Sequence, residues 1–175
     1  MKKILAAVLL GTLATLSAND RLGAIANLRA LPPGFQNGVL KLSADNCDPN
    51  PERWYIAAKS DAKDGGVHNF EMAAGQVLSN KPTLGLVQLL RSNKPIAIDK
   101  VVFDSRDAFD LAQRYANANQ KIVASASLVL SQQGDGAVPI WSVWCYAPDG
   151  TYFGEMQILA TDGTVISNDA FPKKP

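Results

Sequence analysis

Residues 163–168 read GTVISN, and residues 75–80 read GQVLSN. Four of the six positions are identical. Each copy opens on a glycine, which tolerates the positive φ of a tight turn. Each continues with a Val-x pair that sends one side chain to each face of a strand. Working outward, the same order of elements precedes both copies. The first runs helix, GVLKLSAD, RWYIAAKS and HNFEMAA; the second runs helix, KIVASASLVLS, IWSVWCYA and YFGEMQILA. Trp54 stands 21 residues before Gly75, and Trp141 stands 22 before Gly163. These agreements predict a duplicated α-β-β-β unit, and hence an α+β fold of two tandem units. Residues 19–82 form the first, 101–175 the second, and 83–100 a connector with a short helix. Two copies at so long a period exclude a solenoid.

Within that frame, Leu22, Ile25, Leu28 and Leu31 recur at helical spacing before the Pro32-Pro33-Gly34 stop. GVLKLSAD alternates as a half-buried strand does, and VHNFEMAAGQVL continues as one or two more strands. TLGLVQLLRSN, residues 83–93, has the spacing of a short helix, and KPIAIDKVVF reads as extended. The clearest helix is DSRDAFDLAQRYANAN, residues 104–119. Asp104 is its N-cap, and Asp107 complements the dipole in its first turn. Ala108, Leu111, Ala112 and Tyr115 form its apolar stripe, and Asp110 is spaced to pair with Arg114.

The chain begins MKKILAAVLLGTLATLSAND. Lys2 and Lys3, an uncharged apolar run from Ile4 to Leu16, and the small pair Ser17-Ala18 have the layout of a secretory signal peptide. Cleavage is expected near Ala18, leaving a periplasmic or secreted protein with no stable membrane span; the run is short for a span of about 20 residues. Of 17 basic and 16 acidic residues, removal of the leader leaves 15 and 16. Near-neutral charge gives no electrostatic footing for nucleic acid. Cys47 and Cys145 are the only cysteines. In an oxidising compartment they make one disulfide, or else remain two buried thiols.

Chemistry is sparse. His68 is the only histidine, and no nucleophile elbow accompanies it, so a strand residue is the expectation rather than a catalytic base. No CxxC or HxxxH spacing supports zinc. DNCDPN, residues 45–50, is rich in oxygen ligands but lacks the EF-hand order and reads as an Asx-rich turn. Gly134-Asp135-Gly136 lacks the helix a phosphate loop needs. Neither catalytic residues, nor a metal site, nor a cofactor is therefore assigned. The aromatic strand PIWSVWCYA is the exception. Alternation places Trp141, Val143 and Cys145 on one face and Ile140, Ser142, Trp144 and Tyr146 on the other. Either face can be the core. Trp141, Trp144, Tyr146 and Tyr152 are the candidate binding residues, because Trp and Tyr are favoured interface anchors.

The segments VVFDSRDAFDLAQRYA and IWSVWCYAPDGTYFGEMQILATDGTVI resemble a PepSY-type unit. Asp104, Ser105, Ala108 and Ala112 match its helix pattern, Trp141 its aromatic strand position, and Ile158, Thr161, Gly163 and Val165 approximate its last hairpin. The first half matches through Trp54, Gly75 and Val77, and its helix lacks the Asp-Ser opening. The resemblance implies a fold related to tandem β-lactamase-inhibitor-like domains, with helices on one face of a curved antiparallel sheet. It also implies partner binding, and it brings no catalytic residues. The expected function is an exported, non-enzymatic binding protein, such as a peptidase inhibitor or envelope accessory factor, whose partner is another envelope or secreted protein. The alternatives are a small-ligand carrier using the sheet concavity and a secreted hydrolase.

Overall fold

A computed structural model describes residues 22–49, 51–62, 66–83, 94–132 and 138–175. The leader with its cleavage site, the 83–93 helix beyond Thr83, Asn50 and the 134–136 glycine loop lie outside the described residues. Eight strands dominate: β1 (Val39–Cys47), β2 (Trp54–Lys59), β3 (Val67–Ala73), β4 (Gln76–Pro82), β5 (Ser125–Ser131), β6 (Ile140–Tyr146), β7 (Tyr152–Leu159) and β8 (Val165–Asn168). They form one sheet in the order β4-β3-β2-β1-β5-β6-β7-β8, and every neighbouring pair is antiparallel. Among the described residues three α-helices accompany it: α1 (Ala24–Arg29), α2 (Pro33–Gln36) and α3 (Ser105–Ala118).

This architecture corrects the expected α+β fold of two tandem α-β-β-β units. The protein is sheet-dominated: the described residues form one continuous eight-stranded antiparallel sheet with only short helices. The fusion occurs where β1 pairs with β5, from Lys41↔Ser131 to Cys47↔Ala126. GQVLSN and GTVISN, read as strands from the sequence, are β4 and β8 at the two edges, so each half contributes four strands rather than three. The helical share falls because the first predicted helix shrinks to six residues, interrupted before the Pro33 turn. KPIAIDKVVF is not wholly extended: Ile98–Lys100 make a single 3-10 turn.

The two edges are built alike. In β4, Met72 faces Val77 and Glu71 faces Ser79, which leaves Leu78 as an extra residue in the ladder. In β8, Ile158 faces Val165 and Gln157 faces Ser167, which leaves Ile166 as the extra residue. The echo in the sequence is thus an edge strand with a bulge at its fourth position. Only the turns before it differ. Ala74 and Gly75, at φ 49° and 75°, close a two-residue hairpin, whereas residues 160–163 make a longer loop ending on Gly163 at φ 79°.

The core lies on one face of the sheet. Leu42, Ile56, Phe70, Met72, Leu128, Leu130, Val143, Met156 and Ile158 alternate inward and meet Ala108, Phe109, Ala112, Tyr115 and Ala116 of α3 and Ala24 and Leu28 of α1. Leu111, assigned to the α3 stripe by spacing, packs only partly against this core. Asp110 pairs with Arg106 at 3.8 Å rather than with Arg114. Trp54 and Trp141 are fully buried, with ring centroids 6.4 Å apart. Each indole donates to the carbonyl just ahead of a helix N-cap, Trp54 Nε1 to Leu22 and Trp141 Nε1 to Phe103.

The helix N-termini meet. Asp104 Oδ1 accepts from Ser105 N at 2.7 Å, and its carboxylate closes a capping box with Asp107. The same Oδ1 accepts from Ile25 N, in the first turn of α1, at 3.2 Å, and Ser105 Oγ accepts from Ala24 N. The N-cap of α1 is Gly23, which has no side chain to offer. A Cβ there would lie 2.4 Å from Asp104 Oδ2. One carboxylate therefore serves two helix dipoles, 79 residues apart in sequence.

Candidate functional site

The face of the sheet away from the helices carries a different chemistry. Along β5, Ala126, Leu128 and Leu130 point inward, so Ser125, Ser127, Val129 and Ser131 point outward. Register carries this orientation to β6. Trp141, Val143 and Cys145 are fully buried, while Ile140, Ser142, Trp144 and Tyr146 lie on the outer face. Trp141 is thus a core residue that no partner can touch, and of the four candidate binding residues the structure brings Trp144, Tyr146 and Tyr152 together. Tyr152 is 54 % exposed and Trp144 38 %. A bulge between Cys145 and Tyr146 aligns Tyr146 with Tyr152, whose rings lie 5.6 Å apart.

One row of this face crosses all eight strands: Ser79, Glu71, Tyr55, Ser43, Val129, Ser142, Gln157 and Ser167. Tyr55, 47 % exposed, is a further aromatic on the same face, in β2 and three strands from β6. Sequence reasoning passed over it, although its place beside Trp54 in an alternating strand was the signal. The neighbouring row, toward the aromatic end, holds Ser127, Trp144 and Glu155. Asn46, at φ 45° in β1, folds over its margin: its backbone N–H donates to Ser127 Oγ and its Oδ1 accepts from Ser125 Oγ. At the other end of the face Leu40, Ala57 and Val67 make a small apolar cluster, with Lys41, Lys59 and Lys81 around it.

Electrostatics sharpen the aromatic end. Burial first, then the Glu155 carboxylate and Tyr146, push the Tyr152 hydroxyl above its ordinary range. In the adjoining hairpin the Thr151 amide donates to Asp149 at 2.9 Å and holds that carboxyl below the ordinary carboxylate range. Asp162 is held low in the same way by Thr164.

The other candidates resolve structurally. Cys47 and Cys145 are buried free thiols. Both face Ala126, one from each side of β5. That places them two strand spacings apart, about 9–10 Å, where a disulfide needs Cα atoms about 4.4–6.8 Å apart. Burial pushes both thiols up to about 12, helped at Cys47 by Asp48 and Asp45. His68 lies in β3, packs on Phe35 at 4.9 Å and bonds Asn80 Oδ1 at 2.8 Å. Asp45, Asn46, Cys47, Asp48, Pro51, Glu52 and Arg53 line an open cleft of about 340 Å³ at the end of β1. Among the described residues no cluster of His, Cys, Asp or Glu could hold a metal ion, and no helix is long and apolar enough to cross a membrane. A second cleft, about 430 Å³, lies between α1 and residues 95–99, on the helix side.

Comparison with protein-family models, with curated proteins and with solved structures finds no match to this chain.

Proposed function

We propose that this chain is an exported, non-enzymatic binding protein that engages another envelope or secreted protein through the outer face of its sheet. The observation that carries this reading is the composition of that face. Tyr55, Trp144, Tyr146 and Tyr152 stand among Ser43, Ser125, Ser131 and Ser142. Tyr and Trp supply rigid, amphipathic contact area at small conformational cost, while Ser supplies adaptable hydrogen bonding. Protein-recognition surfaces combine the two for that reason. The signal-like leader and the PepSY-like segments support an envelope role of the accessory or inhibitory kind.

The test is affinity capture from envelope extracts with the mature protein and with a Trp144→Ala, Tyr152→Ala variant. A protein retained by the wild type and lost by the folded variant supports the reading. Equal retention by both, or recovery of a small molecule alone, refutes it.

A further inference from the structure

Charge divides the outer face into two ends. Lys41, Lys59 and Lys81 occupy the end away from Tyr152. At the aromatic end Glu155 is cross-strand from Trp144, and Asp169 follows it by a backbone bond from Asp169 N to Glu155 O. Among the described residues no cation pairs with either carboxylate; Glu155 takes only the neutral Gln157 amide, at 3.2 Å. The nearby cations are engaged elsewhere. Arg53 is paired with Glu71, and Lys121 lies over the Phe153 and Phe171 rings, 4.7 Å from the first. Two exposed aromatic rings beside unpaired carboxylates favour one kind of occupant. A cation over a ring face gains from the ring quadrupole, and a carboxylate at its tip completes the attraction.

We infer that the patch of Trp144, Tyr146, Tyr152 and Glu155 receives an arginine or lysine side chain projecting from a basic region of the partner protein. The inference rests on the protein-binding reading of this face and specifies the chemistry of what docks there. A planar guanidinium suits it best, because it can lie against the rings while donating to Glu155. The lysines at the far end repel a uniformly basic partner, so the cation enters at this end only and fixes the orientation of docking.

The experiment uses the mature protein and two capped tripeptides, acetyl-Gly-Arg-Gly-amide and its citrulline counterpart, which is neutral and nearly isosteric. Indole NMR signals are followed; buried Trp54 and Trp141 serve as internal controls of folding. The arginine peptide is expected to shift the Trp144 indole at millimolar concentration, with the citrulline peptide at least fivefold weaker. Glu155→Gln should weaken the arginine peptide about three- to fivefold, as loss of a part-exposed charge contact does, while leaving the Trp54 and Trp141 signals in place. Equal shifts with both peptides would overturn the cation inference and leave the protein-binding face standing. No shift with either would also overturn it, and the capture experiment then decides the broader reading alone.

Discussion

Asp104→Ala should cost far more than the loss of one helix cap. Removing an N-cap side chain typically costs about 1 kcal/mol. Here the same carboxylate also takes the Ile25 amide of α1, so a second, charge-assisted bond of similar worth is lost. Each helix dipole adds about 0.3–1 kcal/mol for a nearby negative charge. The sum is about 3 kcal/mol, or a Tm lower by about 6–12 °C for a chain of this size. Asp107→Ala is the control. It removes one exposed capping-box bond, to Asp104 N at 3.0 Å, and should cost about 0.5–1 kcal/mol. Urea titration of the three proteins by tryptophan fluorescence reads the differences. A double-mutant cycle makes the test stricter. Gly23→Ala should be destabilising in the wild type, because its Cβ pushes the Asp104 carboxylate off its hydrogen bonds, and less so in the Asp104→Ala background. If Asp104→Ala costs no more than Asp107→Ala, or if the Gly23 and Asp104 effects simply add, the shared cap is wrong.

Three further outcomes follow from local chemistry. In the native protein at pH 8, Ellman's reagent should find no reactive thiol, and denaturation without reductant should release two. The raised thiol values also set an alkaline limit. The unfolded chain gives up these protons near pH 9 and the folded chain near pH 12, so stability holds below pH 9 and falls between the two; Cys145→Ala should flatten that fall, and an unchanged slope would exclude the thiols as its cause. Ala74 holds a left-handed conformation that an L side chain with a Cβ adopts at a cost. Ala74→Gly should stabilise the protein by about 0.5–1 kcal/mol by chemical denaturation, against the usual sign for adding glycine; a loss of stability would show that the turn is not under this strain.

The parts of this structure legible in the sequence are those that local chemistry encodes. The Asp104 cap, the period-two alternation of β6 and the turn-plus-strand character of GQVLSN and GTVISN all follow from neighbours in the chain. Pairing of β1 with β5 does not, because nothing within either strand states which edge it will meet across some 80 residues. That ladder joins the two expected units into one eight-stranded sheet that dominates the fold. The disulfide remained open for the same reason: only register reveals that Ala126 stands between the cysteines. The outward side of β6 was nearer to hand. Ser125, Ser127 and Ser131 alternate with Ala126, Leu128 and Leu130, which orients β5, and antiparallel pairing then turns Trp144 outward and Trp141 inward. Asp104 as a cap for α1 needed the three-dimensional meeting of two helices, although a bare glycine at the head of α1 was a hint that its acceptor came from elsewhere.

An unclosed sheet ends on two rims, and each rim is a template on which an extended chain can add itself, strand upon strand, into a fibre. Here both rims are made from near-identical six-residue phrases, and in both the extra residue breaks the spacing of donors and acceptors that a newcomer would have to match. Lys81 and Pro82 blunt one of them further. A protein whose broad face is left sticky with tryptophan and tyrosine gains from rims that refuse company. The repeated phrase spoils strand addition at both margins, so that the sheet does not grow from its borders.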